Sequence, residues 1–232
     1  MHPPDSPRSG PDRRPDFLPA AGADWLLPLY DPLTRLFGTQ RQRERLLDAA
    51  AIRAGDRVLD LGCGTGALSL QLWRRQRDAH VTGLDPDPKA LARARTKAAR
   101  EGAAIEWRQG FGDALPFPDA CFERVLSSLM FHHLPHEGRR STLAGIARVL
   151  VPGGRLLVLD FGPAQGALTH LLLRASHRGD RLADNLEGRI PALMAEAGLA
   201  EPHERARMGS PFGSLSIWEA SRARDGRSDL SS

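Results

Sequence analysis

Nine residues constrain the fold of this chain more than any other stretch: Val58-Leu59-Asp60-Leu61-Gly62-Cys63-Gly64-Thr65-Gly66. Val58, Leu59 and Leu61 predict a short buried strand. Three glycines at alternate positions then turn the chain sharply, since glycine adopts positive φ without steric cost and lets backbone approach a ligand. The next residues, Ala67 to Arg75, predict a helix. A helix start presents unpaired N–H groups and the positive end of a dipole. In open α/β sheets ligands sit in the crevice outside the carboxyl ends of the strands. Asp60, at such an end, places a carboxylate acceptor there.

Gly62-x-Gly64-x-x-Ala67 also satisfies the relaxed dinucleotide fingerprint. Charge separates the readings. A pyrophosphate seeks N–H donors and is repelled by a carboxylate such as Asp60. A cationic or amino-bearing ligand is attracted to it.

Downstream, strand and helix alternate. Strands are predicted over 80–84, 104–108, 122–127 and 155–160, and helices over 41–51, 87–100 and 137–150. Gly102 stops the second of these helices, as a glycine after a helix often does. Pro152-Gly153-Gly154 predicts a turn before the fifth strand. Five such units imply a parallel sheet covered by helices. Further on, 168–175 and 186–197 read as helices. Strands over 203–208 and 214–220, joined through Gly209 to Gly213, read as an antiparallel hairpin.

A chain of 232 residues, 41% hydrophobic, suits one domain with a sizeable core. Residues 1–22, rich in Pro, Asp, Arg and Gly, read as a disordered tail, as do 223–232. The domain is expected over 23–222. Within it, 23–51 forms an N-terminal flap and helix, with an aromatic segment around Tyr30 broken by Pro28 and Pro32. The net charge of +4 comes from basic residues spread along the chain. It reads as a solvated surface, and no nucleic-acid partner is expected. Cys63 and Cys121 suit neither a disulfide framework nor a zinc site. The start of the sequence has no apolar signal core and no run reaches transmembrane length, so a cytoplasmic setting is expected.

Asp85, in Gly83-Leu84-Asp85-Pro86-Asp87 at the end of the second strand, can accept both hydroxyls of a ribose; its bland alternative is a helix cap. Pro86 and Asp87 suit the start of the next helix. Phe122 to Leu134 carries Ser127, Ser128, His132 and His133 beyond the fourth strand. A histidine there suits general-base work, since it titrates near neutral pH. A buried or capping histidine is the alternative. Asp160, ending the fifth strand, either orients a substrate or caps the next turn. His132, His133 and His136 do not make a metal site, because Pro135 interrupts any helix that would gather them, so none is expected.

Taken together these segments resemble class I S-adenosylmethionine-dependent methyltransferases, of the type 11 group near the ubiquinone and menaquinone methyltransferases. The resemblance runs from about Tyr30 to Ala220. It implies a Rossmann-like, seven-stranded, mostly parallel sheet with a C-terminal antiparallel hairpin and helices on both faces. The acidic residue followed by a GxGxG turn is the family's cofactor motif, which implies S-adenosyl-L-methionine as cofactor. Asp60, Gly62, Cys63, Gly64 and Gly66 would hold it at that turn. Asp85 would take its ribose beside Pro86. Gly110-Phe111-Gly112-Asp113-Ala114-Leu115-Pro116-Phe117 resembles the adenine loop, with Phe111 covering the ring, Gly112 reading its edge and Asp113 near the exocyclic amine. Tyr30-Asp31 is similar to the family's N-terminal entry. Ser128 would touch the cofactor through backbone, and 127–133 would line the methyl-transfer space. His132, His133 and Asp160 are then the candidate catalytic residues.

The function implied is methyl transfer to a small-molecule acceptor, at carbon, oxygen or nitrogen. The quinone enzymes' Ser–Gly–His–Trp pattern is replaced here by Thr34-Arg35-Leu36-Phe37. A phospholipid or quinone acceptor at a membrane surface is an alternative, since Leu171-Leu172-Leu173 beside Arg174 and Arg178 suits peripheral contact. A non-catalytic S-adenosylmethionine-binding module and an NAD-dependent oxidoreductase are the alternatives of other classes.

Overall fold

The computed structural model describes residues 39–163, 185, 187–210 and 213–224. The expected tail over 1–22, the flap with Tyr30, the helix over 168–175 with its leucines, and most of the C-terminal tail lie outside the described residues. Helix α1 spans Thr39–Ala50 and leads into β1, Arg57–Leu61. Then come α2 (Ala67–Arg75), β2 (His80–Asp85), α3 (Pro88–Glu101) and β3 (Ile105–Gln109). Next are β4 (Phe122–Ser128), α4 (His136–Val149) and β5 (Leu150–Phe161). Helix α5 (Ile190–Glu196) and strands β6 (Leu199–Ser210) and β7 (Gly213–Arg222) complete the described part.

The seven strands form one sheet in the order β3-β2-β1-β4-β5-β7-β6. Strands β1 to β5 pair in parallel, and β7 runs antiparallel to both β5 and β6. The order reverses between β1 and β4, so the loops after these two strands diverge to opposite faces and leave a crevice.

Both sheet faces are covered, so consecutive residues of the central strands are buried, as in Val58 to Leu61 and Leu156 to Asp160. On one face Leu59, Leu61, Val125 and Val158 pack with Leu143 and Ile146 of α4. On the other, Val58, Leu126 and Leu157 pack with Leu46 and Leu47 of α1 and with Leu68, Leu72 and Trp73 of α2. Asp60 alternates with Leu59 and Leu61, so it shares the α1–α2 face.

Local chemistry sets the element ends. Asp87 caps α3 by accepting from the Lys89 N–H at 2.8 Å, Pro88 opens the helix, and Gly102 closes it at φ 63°. Two expectations change. Pro152-Gly153-Gly154 lies within β5 as a bulge: Leu150 pairs with Phe122 and Arg155 with Arg124, and Gly153 at φ 77° absorbs the extra residues. The helix expected over 186–197 begins only at Ile190, with Pro191 in its first turn. No helix among the described residues is long and apolar enough to cross a membrane.

Candidate active site

A cleft of about 320 Å³ opens at the carboxyl ends of β1, β2 and β4, at the switch in strand order. Of the residues singled out from sequence, Asp60, Gly62, Cys63, Gly64, Asp85, Pro86, Phe111, Gly112, Asp113, Ser128 and His133 line it. Gly66, His132 and Asp160 do not, and Tyr30 lies outside the described residues.

Asp60 is buried at the floor and accepts from the Ser69 hydroxyl of α2 at 2.5 Å. Burial pushes its carboxyl up to about 6, against the stabilising Ser69 bond. Asp85 is likewise pushed to about 6 by burial. Its two oxygens accept the Gly64 N–H at 2.8 Å and the Asp87 N–H at 2.9 Å, so it pins the glycine turn to the end of β2. Each oxygen keeps a further lone pair for a ligand. Burial also pushes the Cys63 thiol up, which leaves it a neutral wall of the turn.

The three glycines have different tasks. Gly64, at φ 52°, has nothing within 4 Å of the position a Cβ would take, so its backbone is open. At Gly62 a Cβ would lie 2.3 Å from Met130 Cγ. At Gly66 it would lie 2.5 Å from the Trp107 ring and 3.0 Å from Ala94 Cβ. Gly66 therefore lets β3 and α3 close over the start of α2 and is a packing residue.

Beyond β4 the chain bends at Leu129, which has φ 58° and donates its N–H to the Leu159 carbonyl at 2.8 Å. A single 3-10 turn, Phe131–His133, follows. It divides the stretch expected to line the site. Phe131 is fully buried in the core, and Ser127 turns its hydroxyl to the Leu61 carbonyl at 3.0 Å. Met130 and His133 face the cleft. His132 turns to Asp160: its Nδ1 lies 2.8 Å from one carboxylate oxygen, and its backbone N–H donates to the other at 3.1 Å. Asp160 is buried, which alone would raise its pKa, yet the His132 ring and the Phe161 and His132 N–H groups hold it below the usual carboxylate range. The His132 and His133 rings stand 4.0 Å apart between centroids. Arg139 of α4, fully buried, steadies this turn by donating to the Phe131 carbonyl at 3.0 Å.

Sequence reasoning missed Arg43, Leu134, Pro135 and Gly138 in the cleft wall. No local signal marks Arg43, one of three arginines in five residues of α1. No group of three metal-ligating side chains is gathered among the described residues.

Known proteins resemble this chain in sequence and in fold. A methyltransferase-domain family model matches residues 58–154, which carry the cleft turns. A demethylmenaquinone methyltransferase of Thermus thermophilus is 42% identical over 141 residues, covering 60% of this chain and 63% of the relative. This chain thus matches less than two thirds of that protein's length. A second protein of that name, from Deinococcus radiodurans, is 33% identical over 192 residues, 79% of each chain. In structure, a SAM-dependent methyltransferase from Aquifex aeolicus superposes with a TM-score of 0.65 at 18% identity, over 85% of this chain and 97% of its own. These relationships replace the NAD-dependent oxidoreductase reading. The chain belongs to the S-adenosylmethionine-dependent methyltransferases.

Proposed function

We propose that the chain methylates a small molecule bearing an acidic hydroxyl, such as a phenol, an enol or a hydroquinone, and that His132 takes its proton. The observation that carries this is the buried Asp160 bonded to His132 Nδ1. A carboxylate there fixes the neutral tautomer with its proton on Nδ1 and leaves Nε2 as the basic nitrogen. It also stabilises the imidazolium once the proton has moved. Loss of the hydroxyl proton makes the oxygen nucleophilic, and in a phenol or hydroquinone the adjacent ring carbon too. The demethylmenaquinone relatives, by their names, favour such a ring.

The residues present fit S-adenosylmethionine. Gly64 leaves backbone open to the cleft, Asp60 suits an ammonium, and Asp85 keeps lone pairs for ribose hydroxyls. When bound, this group supplies a methyl on a positively charged sulfur, which keeps the bond's electrons as the methyl leaves. Phe111 and Pro86 contribute apolar wall for its base, and Gly112 and Asp113 stand beside them. Tyr30 is proposed to contact the cofactor, and Ser128 and Met130 to face the transferred methyl.

The test is transfer of a labelled methyl group to a panel of phenols, enols, reduced naphthoquinones and amines, with the product's methylated atom read by mass spectrometry. Hydroxyl-bearing acceptors are expected to be methylated at oxygen or the adjacent carbon. Methylation of amines alone contradicts the proposal.

The shifted carboxyls give a pH dependence. Asp60 and Asp85 would bind the cofactor as carboxylates, so its affinity is expected to fall as pH drops through about 6. The slope approaches about tenfold per pH unit for each proton taken up. In the unliganded chain the sign is opposite. A folded pKa above the ordinary 3.8 favours folding at low pH, and that contribution is lost as pH rises through about 6. Calorimetric titration with S-adenosylhomocysteine across this range checks it; a flat affinity contradicts the assignment of both carboxyls.

A further inference from the structure

The cleft wall carries three carboxylates, Asp60, Asp85 and Asp113, and among the described residues a single arginine or lysine, Arg43. Helix α1, which carries it, is held firmly. Leu46, Leu47 and Ala50 are buried. At its C-terminal end, Arg124 Nε donates to the Ala50 carbonyl at 2.9 Å, and Arg155 to the Ala49 carbonyl at 3.0 Å. Arg43 Nε also donates to Gln71 Oε1 of α2 at 3.4 Å. Its positive charge acts on Asp60, opposing the effect of burial. Cation and carboxylate thus share one end of the cleft, between α1 and α2, while Asp85 holds the end at β2. An α-amino acid head, with ammonium and carboxylate on one carbon, matches the first pair of charges. A nucleoside sugar matches the second.

We infer that Arg43 is the carboxylate-recognising residue of the cofactor site. Its guanidinium pairs with the α-carboxylate of the cofactor while Asp60 takes the α-ammonium, and this fixes which way round the cofactor lies. The inference rests on S-adenosylmethionine being the cofactor, and it extends the site to a helix outside the glycine-turn motif. Guanidinium and carboxylate form charge-assisted hydrogen bonds, stronger than neutral ones.

The test compares two ligands on the full chain by calorimetry: S-adenosylhomocysteine, and 5′-methylthioadenosine, which lacks the amino-acid end. In Arg43→Gln the affinity for S-adenosylhomocysteine is expected to fall about tenfold or more, with 5′-methylthioadenosine unchanged and Arg43→Lys intermediate. An equal loss for both ligands, or none for either, overturns the inference and leaves Arg43 as a tie between α1 and α2. Should the variants not fold, the wild-type chain decides. It is expected to prefer S-adenosylhomocysteine over its decarboxylated analogue by about tenfold or more, and equal affinity overturns the inference. Binding of 5′-methylthioadenosine with no such preference removes Arg43 alone. Binding of neither nucleoside removes the cofactor reading with it.

Discussion

Replacing His132 by alanine is expected to slow methyl transfer about 10²- to 10⁴-fold, the usual contribution of a positioned general base. Affinity for S-adenosylhomocysteine should stay near the wild-type value, because the proposed base acts on the acceptor and His132 is not among the residues proposed to hold the cofactor. Asp160→Asn should also lower kcat. It keeps the shape but removes the charge that stabilises the protonated ring, at a site where Asp160 receives two bonds from His132 and one from the Phe161 N–H. A more acidic acceptor should narrow both deficits, since less basicity is then needed. Steady-state kcat and KM with two acceptors of different acidity, beside calorimetric cofactor affinity, check this. An unchanged kcat would show that the acceptor needs no base. Parallel loss of rate and cofactor affinity would make the pair a structural brace for the turn.

Gly66→Ala is expected to cost the fold about 2–5 kcal/mol, and Gly64→Ala only the roughly 1–2 kcal/mol of its positive φ. Both have positive φ, which costs a residue with a Cβ roughly 1–2 kcal/mol. At Gly66 the new methyl also meets the Trp107 ring and Ala94, and overpacking adds about 1–3 kcal/mol. At Gly64 it meets nothing and intrudes on the cleft. The two variants should therefore separate: Gly66→Ala lowers the midpoint of urea unfolding more, and Gly64→Ala, with the smaller loss of stability, loses cofactor affinity. Equal unfolding midpoints would contradict the packing role of Gly66.

That contrast shows what the sequence made legible. Three glycines in one motif look alike, and their spacing predicts a tight turn that the structure contains. The division of labour between them depends on Trp107 arriving from β3, a contact no local pattern encodes. The central parallel strands were readable because burial on both faces leaves adjacent apolar residues, as in Val58-Leu59, Val125-Leu126 and Leu156 to Leu159. Their ends extend further because the ladder goes on past the apolar residues, as where Asp85 pairs with Gln109. His132, His133 and Asp160 stood out singly, but which histidine meets the aspartate is set by the register that pairs Ser128 with Leu159. Arg43 was invisible beside Arg41 and Arg45, since only the docking of α1 against the sheet brings one of the three to the cleft.

The central claim is that this cleft holds S-adenosylmethionine with Asp85 on its ribose. Calorimetric titration of the full chain and of Asp85→Ala with S-adenosylhomocysteine, beside NAD, tests it most directly. Hydrogen bonds to a charged group are worth about 1.5–3 kcal/mol. The wild-type chain should bind S-adenosylhomocysteine and not NAD, and Asp85→Ala should lose about tenfold to a hundredfold in affinity. Binding of NAD in its place, or an affinity unchanged by Asp85→Ala, would contradict the account.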